Sequence, residues 1–180
     1  MISFNQYITE VFDNPYNWSG GSVSKGSITP ENDGVPEYYI FEPKSGVVKL
    51  TANHWWLDAG MKFSASSRSI IKKSGHTIAL EFTKKTSSEY GTYDMTADGD
   101  AMRTMATVLD IIKSIIKKHK PTTIVFSGDK SEYKSDRSSK EKTGRTKAYS
   151  AMVKRFAGKY GYESDTSDSS RKIDWQLTKK

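Results

Sequence analysis

The chain has 180 residues, 35% of them hydrophobic, enough for one domain with a real core and too few for two. It holds no cysteine, which removes disulfides, thiolate metal sites and a cysteine nucleophile. No apolar run nears the roughly 18 residues of a membrane helix and no secretory pattern opens the chain, so a soluble cytoplasmic protein is expected. Lys and Arg number 28 against 21 Asp and Glu, for a net charge of +7 and a pI near 9.4, which admits a polyanionic partner without identifying one.

Phe4, Tyr7, Ile8, Val11 and Phe12 recur at helical spacing behind a Ser3/Gln6 capping box, which predicts an amphipathic helix over 4–12. Residues 14–37, with Pro15, Pro30 and Pro36, read as a long connection. Tyr38 to Phe41, a turn at Lys44-Ser45-Gly46 and Val47 to Leu50 predict a β-hairpin. Met61 to Ser64 and Thr77 to Phe82 extend it into an antiparallel meander. Met102, Met105, Val108, Leu109, Ile112, Ile115 and Ile116 line one stripe of a helix from Ala101 to Lys118, with Asp98 and Asp100 before it and Pro121 after it. Thr122 to Ser127 is a short buried strand. Ala148, Met152, Phe156 and Tyr160 mark a second helix near 145–160, stopped by Gly161. Residues 163–170 read as a loop, and Ile173, Trp175 and Leu177 alternate in a closing half-buried strand. This order predicts an α+β sandwich: one mixed, mostly antiparallel sheet with helices on both faces, in a single domain over 1–180.

The basic excess is local. Residues 113–160 carry 14 Lys and Arg against Asp129, Glu132, Asp136 and Glu141, a net +10, while the rest of the chain sums to −3. Residues 128–144 have almost no apolar side chain and are expected to form a mobile basic loop. Lys130, Lys134, Arg137, Lys140, Lys142, Arg145 and Lys147 would contact nucleic acid or a partner protein, with Tyr133 available for stacking.

His54, His76 and His119 lie far apart in sequence with no metal-ligand spacing to Asp or Glu, so no zinc or di-iron site is expected. Asp94 with Asp98, or Asp98 with Asp100, has the chemistry for Mg²⁺, although helix capping accounts for these carboxylates as well. No Gly-x-Ser-x-Gly elbow marks a Ser-His-Asp hydrolase. In Asn53-His54-Trp55-Trp56 the adjacent tryptophans cannot both face one core, so one should shield the sheet while the other packs inside.

Thr96-Ala97-Asp98-Gly99-Asp100-Ala101, at the mouth of the striped helix, resembles the pyrophosphate loop of the GCN5-related N-acetyltransferases. Lys159-Tyr160-Gly161-Tyr162-Glu163 resembles that family's Gly-aromatic ending, and residues 173–177 stand where it has its last strand. The likeness covers about 90–180 in motif and the whole chain in element order; small bacteriophage proteins have similar patterns, and a phage-encoded protein would work in the host cytoplasm. The resemblance implies an acetyl-CoA-dependent N-acetyltransferase in which Gly99, Asp100, Ala101, Met102 and Arg103 hold the pyrophosphate and Tyr149 or Tyr160 returns a proton to the leaving thiolate. Two departures stand out: Thr96 replaces the usual Gln or Arg, and Ala157 occupies the place of the family's general-acid tyrosine. The alternative is a non-catalytic descendant of the fold that binds nucleic acid or a host or viral protein through the basic loop.

Overall fold

A computed structural model describes residues 14–23, 27–43, 46–62, 69–85, 90–92, 101–129, 144–168 and 172–180. Its strands are β1 (Trp18–Gly20), β2 (Pro36–Phe41), β3 (Val48–Leu57), β4 (Gly75–Lys85), β5 (Tyr90–Thr92), β6 (Thr123–Asp129), β7 (Tyr162–Asp168) and β8 (Lys172–Lys179). Two helices, α1 (Ala101–His119) and α2 (Gly144–Lys159), flank β6 in sequence. All eight strands join one mixed sheet, with the order β1-β2-β3-β4-β6-β8-β7 and β5 paired to β4. The fold is therefore α+β around an open sheet.

The meander β1 to β4 is antiparallel, and β4 and β6 form the parallel pair that α1 connects. Two rows of inward side chains cross the sheet by register, Tyr39↔Leu50↔Phe82 and Ala52↔Leu80↔Phe126↔Trp175. Alternation at period two puts these residues on one face, and their apolar area needs a cover. The stripe of α1, from Met105 to Ile115, and Met152, Val153 and Phe156 of α2 provide it in one continuous cluster. Both described helices thus pack on the same face, where helices on both faces were expected; the 4–12 helix lies outside the described residues.

Local chemistry ends each helix where the sequence indicates. Lys120 takes a left-handed conformation with its amide bonded to the Ile116 carbonyl, and Pro121 follows. Gly161 takes a left-handed conformation after α2, where the Tyr160 amide bonds to the Phe156 carbonyl. Two elements depart from expectation. β1 arises inside the predicted 14–37 connection, where the Trp18 indole donates to Asp110 of α1 at 2.9 Å. β7 replaces the predicted 163–170 loop as an edge strand bonded only to β8. Of the expected Met61 to Ser64 strand, 63 and 64 lie outside the described residues, and Lys62 forms an isolated bridge with Ile70.

Candidate functional site

The two ends of the parallel pair differ in chemistry. The β4–β6 ladder runs only from Thr77↔Thr123 to Leu80↔Phe126, yet β4 continues to Lys85 and β6 to Asp129. Each strand keeps its outer neighbour along that stretch, β4 with β3 and β6 with β8. Beyond Leu80 the two strands therefore part, and β5 takes the inner edge of β4 at Thr83 to Lys85. Helix α1 starts at this open end, because its other terminus lies beside the start of β6. Unpaired N–H groups of a helix start favour an anion there.

Of the residues assigned to a cofactor, Gly99 and Asp100 lie outside the described residues and Ala101 begins α1. Met102 is half-buried against the core. Arg103 is committed elsewhere: its Nε donates to the Asn14 carbonyl at 3.0 Å and its guanidinium sits 4.0 Å over the Tyr16 ring. Tyr149 is buried in the first half of α2, the half nearer the open end. Tyr160 lies at the opposite end, packed 4.6 Å from Phe156, two residues before Tyr162 pairs with Lys179 beside the start of β6. Of the two candidate tyrosines only Tyr149 is near the opening. Lys130, Lys134, Arg137, Lys140 and Lys142 lie outside the described residues, as do Tyr133, Asp94 and Asp98; Arg145 and Lys147 fall in the first turns of α2.

The closed end holds what sequence spacing did not reveal. Glu37 of β2, His54 of β3, His76 of β4 and Lys118 and His119 of α1 converge there, so all three histidines of the chain are together. Glu37 has no exposed side-chain surface. Its Oε1 accepts from Lys118 Nζ at 2.5 Å, and its Oε2 lies 2.9 Å from His119 Nε2 and 3.6 Å from His54 Nε2. His54 Nδ1 lies 3.0 Å from His76 Nε2, and the Trp56 ring stacks on His76 at 4.6 Å. Lys118 also donates to the Gly21 carbonyl, which ties the turn after β1 over the cluster.

The electrostatics follow from burial and neighbours. Burial alone would raise the Glu37 pKa, but hydrogen bonds from His119, Lys118 and Tyr39 and the adjacent His54 ring outweigh it and hold the carboxyl group well below its usual range. Burial and the Glu37 charge push the Tyr39 phenol well above its own. For His76, burial together with the neighbouring His54 and His119 lowers the pKa to about 4, which leaves it neutral. Within the cluster, His54 Nε2 is fully buried and has no hydrogen-bond partner among the described residues, since 3.6 Å is too long. Such an atom costs about 1–3 kcal/mol. The Glu37, His54 and His119 ligand atoms all lie within 4.8 Å of one another, the set among the described residues with donors for a metal.

A signal for this cluster does exist in the sequence. Glu37 precedes Tyr39 and Phe41 in the inward register of β2. His54 follows Val48, Leu50 and Ala52 in that of β3, and His119 follows Ile112 and Ile115 on the stripe of α1. Each polar residue extends an apolar row. The two tryptophans divide as expected, Trp55 37% exposed over Gly34 and Trp56 turned in against His76. No helix among the described residues is long and apolar enough to cross a membrane. Comparison of the chain with protein-family models, with characterised proteins and with solved structures finds no match.

Proposed function

We propose that the chain binds an acyl-coenzyme A in the gap between β4 and β6 and transfers its acyl group to an amine, as the resemblance to the GCN5-related N-acetyltransferases implies. One observation carries this reading: the parallel ladder stops after four residue pairs while both strands run on. With β5 on the β4 edge from Thr83, the β6 edge beyond Phe126 is the one turned to the gap and to the amide groups of a pantetheine arm, and the start of α1 at the same end offers N–H groups to the pyrophosphate.

The chain's part in such a reaction is positioning. The amide groups of Gly99 to Arg103 would hold the pyrophosphate. The amine nitrogen forms the new C–N bond and gives its proton to water, the thioester C–S bond breaks, and Tyr149 gives a proton to the thiolate and regains one from water. Tyr160, at the far end of α2, takes no part.

Thermal unfolding of the full chain with increasing acetyl-CoA tests the reading. At 100 times the dissociation constant the ligand should add about 2.7 kcal/mol of stability, and coenzyme A should compete. An unchanged midpoint at millimolar acetyl-CoA overturns it. If retention on heparin then falls steeply with salt, the function passes to the basic segment as a nucleic-acid or partner-binding surface.

A further inference from the structure

We propose that Glu37, His54 and His119 bind one divalent transition-metal ion of the zinc class, as a structural clasp between β2, β3 and the C-terminal end of α1. The site is at the closed end of the sheet and does not depend on the acyl-transfer reading.

Geometry is the first argument. Ligand atoms bound at 2.0–2.1 Å around a tetrahedral ion stand roughly 3.3 Å apart. The separations from Glu37 Oε2, 2.9 Å to His119 Nε2 and 3.6 Å to His54 Nε2, bracket that spacing. The second argument is the unpartnered His54 Nε2, wholly buried and directed at the carboxylate. A metal ion supplies the partner that the protein does not.

The supporting shell is also in place. A histidine that ligates through Nε2 is oriented by a bond at its other nitrogen, and His54 Nδ1 has one to His76 Nε2. Lys118 engages Oε1 of Glu37, which leaves Oε2 directed at the two histidines. Its side chain is 27% exposed, so its charge is not wholly enclosed with a bound cation. Two imidazoles and one carboxylate suit zinc, cobalt, nickel or ferrous ions; calcium and magnesium prefer all-oxygen sets. Glu37 and His54 have no exposed side-chain surface and His119 only 2%, so no substrate reaches the ion and its role is to hold the fold.

The test is zinc and cobalt binding by the untagged full chain, stripped with a chelator. The chain has three histidines and no cysteine, so a nitrogen-ligated ion reports on this cluster alone. Expected are one ion per chain, tetrahedral cobalt absorption in the visible, and a thermal midpoint that rises with zinc and falls on chelation. His54→Gln should weaken zinc binding at least 100-fold, and His76→Gln, which removes only the orienting bond, about 10- to 100-fold. A wild-type chain that binds less than one ion at micromolar zinc, with a midpoint indifferent to metal and chelator, overturns the proposal and leaves a metal-free hydrogen-bond network. Because the wild-type measurement decides the matter alone, a variant that fails to fold does not obscure it.

Discussion

One connection, β4-α1-β6, produces two unlike ends. At the start of the ladder the strands are zipped and three histidines, a glutamate and a lysine meet at the end of α1, with Glu37 and His54 fully buried. Five residues along, the same two strands have parted and the helix begins. The difference follows from the antiparallel course of the helix over its strands. Its C-terminal end carries Lys118 and His119, whose side chains hold the buried carboxylate against the dipole, and its N-terminal end suits an anion from outside through the dipole itself. Side chains set the chemistry at one end and the backbone at the other.

The largest contrast should come from removing one acid at each end. Glu37→Ala leaves Lys118, His119 and Tyr39 without their common acceptor and should cost about 3–5 kcal/mol in urea unfolding. Glu81→Ala, exposed just past the last β4–β6 pair, should stay within about 0.5 kcal/mol. Equal costs would mean that the closed end is not a coupled cluster.

Packing sharpens the comparison. Phe126 is buried, ends the ladder and stacks on Trp175 at 5.3 Å, so Phe126→Ala should cost about 3–5 kcal/mol. Phe82 lies two residues beyond the ladder and is half-buried, so Phe82→Ala should cost about 1–2 kcal/mol. If Phe82 costs as much as Phe126, the open end is packed as tightly as the core and has no room for a ligand.

What the sequence disclosed depended on the range of the contacts involved. Both helices were legible because their stripes are local, at three- and four-residue spacing, with stops at Pro121 and Gly161. β7 was not, because an edge strand facing water on one side needs little apolar area, and Glu163 to Asp168 has none. The meeting of the three histidines was hidden for a related reason. Local spacing detects sites built on one turn or hairpin, whereas Glu37, His54 and His119 meet only through the register of β2 on β3 and the length of α1. At the open end the resemblance directed attention to the start of α1, but the parted strands are a property of pairing, which no single strand encodes.

The closed end is also tight in its backbone. Gly75 opens β4 with φ +134°, and a Cβ there would lie 2.6 Å from Thr122 Oγ1. Gly75→Ala should therefore cost about 1–3 kcal/mol. Adding Thr122→Ala should recover the steric part and leave the strained φ, a coupling that a double-mutant cycle reads directly.

The smallest effect at neutral pH is expected at Tyr162, just beyond the closed end of β6. Its hydroxyl donates to the Pro121 carbonyl at 2.6 Å, so Tyr162→Phe should cost about 1 kcal/mol near pH 7. Burial raises the phenol from 10 to about 12. An acid whose folded pKa is raised stabilises the fold fully below its unfolded value and loses that contribution as pH climbs through the folded one. Between pH 10 and 12 the wild-type chain should thus lose about 2–3 kcal/mol more than Tyr162→Phe. The Tyr39 phenol and the lysines titrate in both chains, so the difference isolates Tyr162. Parallel alkaline profiles would show that this ring reaches water, and that the strand end on which the buried cluster rests is looser than its hydrogen bonds indicate.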